Sequence, residues 1–375
     1  MDLSEIFSEL TKGLSTLTLG NIVMLGVGII LVYLAVAKEY EPVLLLPIGF
    51  GCVLANIPLT GMTDGDGLLG LLYDAGIATE LFPLLIFIGV GAMIDFSPLL
   101  AQPKLVLLGA AGQFGIFIVL ILAVLMGFDL NEAASIGVIG AIDGPTSIFV
   151  ASNLAPHLLA PIAVAAYSYM SLIPIIQPPI MKLMTTREER MIRMEYTPRP
   201  ISRRTLVSFP ILITIAVGLL VPAAVPLISS LMLGNLLKVS GVVDRLSKSA
   251  QNEIINIATL FLGVTIGSTM SAQSFLNFDT ALILVLGLLA FVLDTVAGLT
   301  FGKIMSVLSG RTINPLIGAA GISAFPMAGR LAAKMAAEED YDNFILMHAM
   351  GANTAGQLGS VIAGGVLLLI VSSLG

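Results

Sequence analysis

The stretch IGAIDGPTSIF, Ile139–Phe149, places an acid, two glycines, a proline and two hydroxyls inside a long apolar run. Proline lacks the N–H that an interior helical turn needs, and the glycine before it weakens the same turn. Gly144-Pro145 therefore break a helix directly beside Asp143. An ionised carboxylate at membrane depth costs about 2.5–3.5 kcal/mol on insertion scales, so it needs a cation or a proton. The break frees backbone carbonyls, and Thr146 and Ser147 add hydroxyl oxygens. Such a set of hard oxygen donors suits a small hard cation. The structural alternative is that Asp143 caps the second half-helix through the backbone of Thr146 and Ser147. The two readings are compatible.

The surrounding chain is a membrane protein. Its 375 residues are 57% hydrophobic and 11% charged, against about 25% charged in soluble domains. Mean hydropathy is +1.02, and apolar runs long enough to span a bilayer recur from Asn21 to the C-terminus. The first run has no small-residue cleavage site and reads as a retained span. One cysteine, Cys52, permits no internal disulfide and reads as packing, and two distant histidines offer no zinc-type cluster. Phosphate-loop and nucleophile-elbow motifs are absent from the sequence, and nothing in it points to nucleic acid.

An internal repeat organises the chain. FIGVGAMIDFSPLL (Phe87–Leu100) resembles FLGVTIGSTMSAQSFL (Phe261–Leu276), GCVLANIPL (Gly51–Leu59) resembles LMLGNLLKV (Leu231–Val239), and GAIDGPTSIF (Gly140–Phe149) parallels GAAGISAFPM (Gly318–Met327). Three matches in one order predict an N-terminal interfacial segment 1–20, a first repeat 21–182, a linker 183–205 and a second repeat 206–375. The first repeat offers apolar elements at 20–37, 42–58, 80–96, 104–127, 132–153 and 157–182. The second offers 206–221, 223–237, 252–273, 279–302, 312–330 and 343–372. The fifth element of each is interrupted. Read as a re-entrant hairpin, it leaves five crossings per repeat, and an odd number makes the repeats inverted.

The expected fold is thus all-α and polytopic, with ten spans and two broken-helix hairpins. Charge agrees with it. Seven of the 17 Lys and Arg lie between Lys182 and Arg204, which places that linker in the cytoplasm, and every other Lys or Arg except Lys12 then falls on the same side.

Backbone that is broken at membrane depth survives only where protein covers it or where it lines a cavity. The hairpin at Asp143 is expected to dip from outside and that at Asn314–Pro326 from inside, their tips meeting near the midplane. Other polar residues at depth are few. Tyr169 lies about 18 Å from either end of its span at 1.5 Å per residue. Asn353 is flanked by Gly351 and Gly356, and Asn314 and Ser323 lie in the second hairpin. Each alone reads as an interhelical hydrogen bond; together, opposite Asp143, they favour a site. Asp294 ranks second to Asp143, Asp95 reads as solvated, and His348 is a candidate proton relay near the inner surface. Arg330 reads either as a topology determinant at the inner mouth or as the partner of a carboxylate substrate.

GAIDGPTSIF, AVAAYSYMSLIPIIQPPIM, GNLLKVSGVVDRLS, NPLIGAAGISAFPMAGR and LMHAMGANTAGQLGSVIAGG together resemble the membrane β-subunits of the sodium-pumping biotin-dependent decarboxylases, which serve oxaloacetate, methylmalonyl-CoA and glutaconyl-CoA. The likeness runs from about Asn21 to Gly365, and the chain departs from the expected pattern at Ala141-Ile142 and Ala352. The resemblance implies an enzyme subunit of a bacterial or archaeal cytoplasmic membrane that decarboxylates carboxybiotin, consumes a proton and exports Na⁺. It implies a carboxyltransferase subunit, a biotin carrier and a small membrane subunit as partners, and leaves room for a homo-oligomer. It further implies that Asp143, Asn314 and Asn353 ligate Na⁺, that Tyr169 and Ser323 serve the second Na⁺ or proton route, with Ser323 also a metal ligand, and that Arg330 holds carboxybiotin. The lack of a long extension leans towards the acyl-CoA members. The competing reading is a Na⁺-coupled secondary carboxylate transporter with the same hairpins.

Overall fold

The computed structural model describes residues 11–195 and 200–374. Residues 1–10 of the expected interfacial segment lie outside the described residues; 11–15 are helical. Among the described residues the secondary structure is entirely helical. The principal helices are α1 (Leu19–Ala37), α2 (Pro42–Ala55), α3 (Leu81–Met93), α4 (Phe114–Leu125), α5 (Leu130–Gly137), α6 (Gly144–Leu154) and α7 (Leu159–Met184), followed by α8 (Arg203–Leu220), α9 (Val225–Ser240), α10 (Ile255–Ser268), α11 (Phe278–Leu308), α12 (Leu316–Ala319), α13 (Met327–Glu339) and α14 (Leu346–Leu374).

Among the described residues seven helical stretches are long and apolar enough to cross a bilayer: Leu19–Ala37, Pro103–Leu125, Pro156–Met184, Arg203–Leu220, Pro222–Ser240, Phe278–Leu308 and Leu346–Leu374. Three further expected spans are shorter. α2 has 14 residues, α3 has 13 and α10 has 14, against the roughly 20 that a full crossing takes. Leu68–Ile77 precedes α3 across a bend of 59°.

These three short helices pack reciprocally. α2 lies on α10, and α3 lies on α9. A methyl group added at Gly51 would stand 2.1 Å from the Val264 carbonyl oxygen, and one at Gly267 would stand 2.0 Å from that of Ile48. The second pair matches: Gly91 against the Leu231 carbonyl at 1.9 Å, and Gly234 against that of Ile88 at 1.9 Å. Glycine alone permits such backbone approach, which is how membrane helices associate where no hydrophobic force separates protein from lipid. An asparagine closes each pair. Asn56 Nδ2 donates to the Met270 carbonyl at 2.7 Å, and Asn235 Nδ2 to that of Ile94 at 3.0 Å.

Basic loops gather at one end of the bundle. Arg190 and Arg187 pair with Glu339 at 2.6 and 3.2 Å, Arg193 with Asp340 at 2.6 Å and Lys303 with Glu189 at 3.3 Å. Lys238 Nζ donates to the Met93 carbonyl at 2.9 Å, where α3 ends. The opposite end holds acidic loops, with His157–Glu132 at 2.9 Å and Asn153–Glu80 at 2.5 Å.

Candidate functional site

Asp143 sits where the first interrupted segment changes direction. A 3₁₀ turn, Val138–Ala141, leads into Ile142 at φ +50°, and Asp143 then occupies the N-cap position of α6 with Pro145 in its first turn. A β-branched residue in the left-handed region costs about 1–2 kcal/mol. The strain falls in the Ala141-Ile142 pair at which the chain departs from the expected motif. Local sequence therefore makes the break, as expected.

The carboxylate is buried, and three donors converge on its Oδ2. Thr146 Oγ1 lies at 2.6 Å, Gln357 Nε2 at 2.8 Å and Ser360 Oγ at 3.0 Å. Hydrogen bonds to charged groups contribute about 1.5–3 kcal/mol each, enough together to offset the insertion cost of the charge. The hydroxyl of Thr146, one turn along α6, thus contributes as the sequence suggests. Gln357 and Ser360, 214 and 217 residues away, had no local signal.

The second interrupted segment meets the first. Ser323 N donates to the Ala141 carbonyl at 3.3 Å, two residues before Asp143. Ser323 Oγ donates to the Gly356 carbonyl at 2.8 Å, and Asn353 Nδ2 to that of Ile322 at 2.7 Å. Asn353, Gln357 and Ser360 recur at helical spacing on α14, so one face of that helix touches both broken segments. Asn353 Oδ1 and Gln113 Oε1 are buried there without a hydrogen-bond partner among the described residues. Buried oxygens left in this way are what a cation would complete.

The remaining expected residues fall elsewhere. Tyr169 Oη donates to the Leu284 carbonyl on α11. Tyr167 is the tyrosine beside Asp143: a methyl group at Gly144 would stand 2.0 Å from its ring, and its buried hydroxyl has no partner among the described residues. Asn314 faces the linker, its Nδ2 donating to the carbonyls of Arg190 at 2.8 Å and Ile192 at 2.9 Å, while its Oδ1 accepts from Leu316 N at 3.0 Å. It stands where the second segment begins, several residues before the tip that carries Ser323.

Arg330 is exposed on the first turns of α13, which runs nine residues past the expected end of its element at 330. Ala328, Ala332 and Ala336 form a buried small-residue stripe against α14, and Arg330, Lys334 and Glu338 lie on the outer face. The Arg330 guanidinium makes no ion pair or hydrogen bond among the described residues. Asp95 is exposed, as expected, and accepts from Ser97 N at 2.9 Å. His348 Nδ1 meets Gln102 Oε1 at 3.0 Å beside a cavity of about 900 Å³ at the basic end.

A second cavity, of about 310 Å³, reaches Asp143, Tyr167, Ser323 and Gln357. Its lining also includes Glu41, Met93 and Gln251, at the helix ends nearest the basic loops.

An all-helical membrane protein with two touching broken helices and a carboxylate at their junction is a membrane-embedded ion-handling protein. Residues 20–371 match the family described as the Na⁺-transporting oxaloacetate decarboxylase beta subunit, and the chain belongs to that family. It is 54% identical to the methylmalonyl-CoA decarboxylase subunit beta of Veillonella parvula, over 96% of each chain. It is 53% identical to the glutaconyl-CoA decarboxylase subunit beta of Acidaminococcus fermentans, again over 96% of each. Identity to the probable oxaloacetate decarboxylase beta chain of Pasteurella multocida is 45%, over 96% of this chain and 97% of that one.

Proposed function

We propose that this chain is the membrane subunit of a biotin-dependent decarboxylase complex, coupling loss of CO₂ from carboxybiotin to Na⁺ export from the cytoplasm. The observation that carries the reading is the buried Asp143 carboxylate at a helix break, with the unpartnered Asn353 oxygen on the helix that binds it. Family membership favours this over a secondary carboxylate transporter.

Na⁺ reaches Asp143 through the cavity from the basic end, which the positive-inside rule makes cytoplasmic. Its charge neutralises the carboxylate. The Thr146 and Ser360 hydroxyls, now donors, rotate to present lone pairs, and Gln357 can turn its amide oxygen inward. Asn353 Oδ1 and Ser323 Oγ supply further oxygens. Tyr169 and Asn314, engaged elsewhere, act on the coupling through α11 and the linker. Carboxybiotin supplies the driving reaction, cleavage of its N–CO₂⁻ bond with uptake of one proton on nitrogen. Arg330, with Lys334 one turn away on the same exposed face, offers the carboxylate a bidentate partner. Moving one Na⁺ against ~100 mV costs about 2.3 kcal/mol, so release of CO₂ must be tied to the side the site faces.

The alternation rests on two inverted repeats of five crossings and one hairpin each, 21–182 and 206–375. The reciprocal packing of α2 on α10 and α3 on α9 supports it, as does the Ser323–Ala141 bond between the hairpins. Cysteines at Asp66 and Glu188, both exposed, should react with an impermeant reagent from opposite sides. Same-side labelling would sink the inverted arrangement.

The partners are a carboxyltransferase subunit, a biotin carrier and a small membrane subunit, in a bacterial or archaeal cytoplasmic membrane. The proposed substrate is an acyl-CoA: the two acyl-CoA relatives align with 96% of this chain over 362 and 360 residues, almost without insertion, whereas the oxaloacetate relative aligns with the same share over 423. The deciding experiment reconstitutes the complex in liposomes and measures CO₂ release from carboxybiotin with and without Na⁺. Release indifferent to Na⁺ refutes the reading.

A further inference from the structure

Asp294 is the other buried acid among the described residues, and nothing above uses it. It lies midway along the 31-residue α11 and is completely buried. Oδ1 accepts the backbone N–H of Gly115. That donor belongs to the first turn of α4, just after the helix pauses at Gly112–Gln113, and so has no intrahelical partner of its own. Oδ2 has no partner among the described residues. It faces Gly140, where an added methyl group would stand 2.7 Å away. Gly140 belongs to the 3₁₀ turn that carries Asp143 three residues later. The neighbouring Thr295 hydroxyl is also unpartnered.

A fixed negative charge here has one backbone hydrogen bond and no ion pair among the described residues. Its desolvation costs several kcal/mol, more than one such bond returns. A metal ion does not fit. Hard cations take about six or more oxygens, whereas the other groups around the Gly140 position that Oδ2 faces are the Ala290 methyl and the Ile116 backbone nitrogen. A proton is the one cation that this donor set can hold.

We propose that Asp294 is the proton-binding group of the pump, a carboxylic acid that loads and unloads as the first broken segment moves against it through Gly140. In this conformation the acid is closed from water. Movement of the 138–142 turn, required for Asp143 to change the side it faces, uncovers Oδ2. Other titratable groups on the packed elements are Asp143 on the same segment, Tyr167, Tyr169 and Lys182 on α7, of which Tyr169 is bound to Leu284 on α11, and Glu132 on α5, paired with His157 at the outer end. α4 and α12 bring none.

The inference rests on the proposed decarboxylation with proton uptake, but its first test does not. Infrared spectra of the purified complex should contain a protonated-carboxyl band that shrinks when Na⁺ is added or the pH is raised. The band should survive Asp143→Asn and disappear in Asp294→Asn. In liposomes, Asp294→Asn should bind ²²Na⁺ within about twofold of the parent while dye-reported proton uptake and CO₂ release fall at least about tenfold. A band indifferent to Na⁺ and pH, or unchanged by Asp294→Asn, overturns the proposal and leaves Asp294 a fixed neutral bridge to Gly115. Should Asp294→Asn fail to assemble, the pH response of the band in Asp143→Asn, where the other buried acid is gone, decides alone. Failure of the parent complex to release CO₂ counts against the decarboxylase reading and leaves the spectral result standing.

Discussion

Gln357 Nε2 lies 2.8 Å from Asp143 Oδ2, joining the last helix of the chain to the first broken segment. Gln357→Leu removes a donor from a buried carboxylate and leaves that charge less satisfied. The concentration of Na⁺ for half-maximal CO₂ release should change by about tenfold, consistent with 1.5–3 kcal/mol for a charged hydrogen bond. Asp143→Asn should abolish the Na⁺ response altogether while the complex still assembles. Near-normal Na⁺-dependent turnover in Asp143→Asn would move the cation site elsewhere.

Tyr167 and Tyr169 make a sharper comparison. Tyr167 borders the cavity at Asp143, whereas Tyr169 binds α11. Tyr167→Phe should alter the apparent Na⁺ affinity more than Tyr169→Phe does. Tyr169→Phe should lower thermal stability by about 1 kcal/mol through the lost bond to Leu284. Melting curves and Na⁺ titrations of the two variants separate the effects.

Asn314 holds the linker at two carbonyls, so its loss should loosen the cytoplasmic face. Asn314→Ala is expected to cost about 1–3 kcal/mol and to expose the region around Arg190 to protease. Asn343, whose Nδ2 reaches the same two carbonyls at 3.1 and 3.2 Å, should give a smaller, partly redundant effect. A tenfold loss of Na⁺ affinity in Asn314→Ala with the linker still protected would instead make it a ligand.

Arg330 is tested by charge and shape together. Arg330→Lys keeps the charge but loses the two-pronged geometry, so carboxybiotin turnover should fall while Na⁺ half-saturation stays within about twofold. Arg330→Ala should nearly abolish turnover. Intact turnover with altered membrane orientation would favour a topological role.

The ion-pair cluster on the linker has a defined pH response. The Arg190 hydrogen bond holds the Glu339 carboxyl below its usual range, and the Arg193 hydrogen bond does the same for Asp340. A depressed pKa stabilises the fold above the unfolded value, about 4 for these acids, and the contribution is lost as pH falls through the depressed values. Hydrogen exchange across residues 187–195, corrected for the intrinsic pH dependence of amide exchange, should therefore stay flat from neutral pH down to about 5 and rise only below about 4. A rise between about pH 6 and 8, where unperturbed histidine titrates, would place the pH sensitivity elsewhere.

Composition alone made this a membrane protein, because charges at 11% of residues and a mean hydropathy of +1.02 leave no soluble fold open. The break at Asp143 was equally local, since Gly144-Pro145 stop a helix wherever they occur. Other features needed the tertiary structure. Tyr167 and Tyr169 are two residues apart, which on a helix of 3.6 residues per turn sends them about 200° apart, and only the packing of α7 decides which one meets Asp143. Gln357 and Ser360 read as ordinary polar residues until glycine contacts seat α14. A methyl group at Gly356 would come within 2.3 Å of the Gly321 carbonyl, and that approach brings α14 onto the second broken segment. Sequence placed Asn314 in the second interrupted segment, but the asparagine turned to the linker because backbone carbonyls there offered its amide partners. Backbone breaks and hydropathy are written in neighbouring residues; the partners of a buried charge are set by helix rotation and close approach across the whole chain.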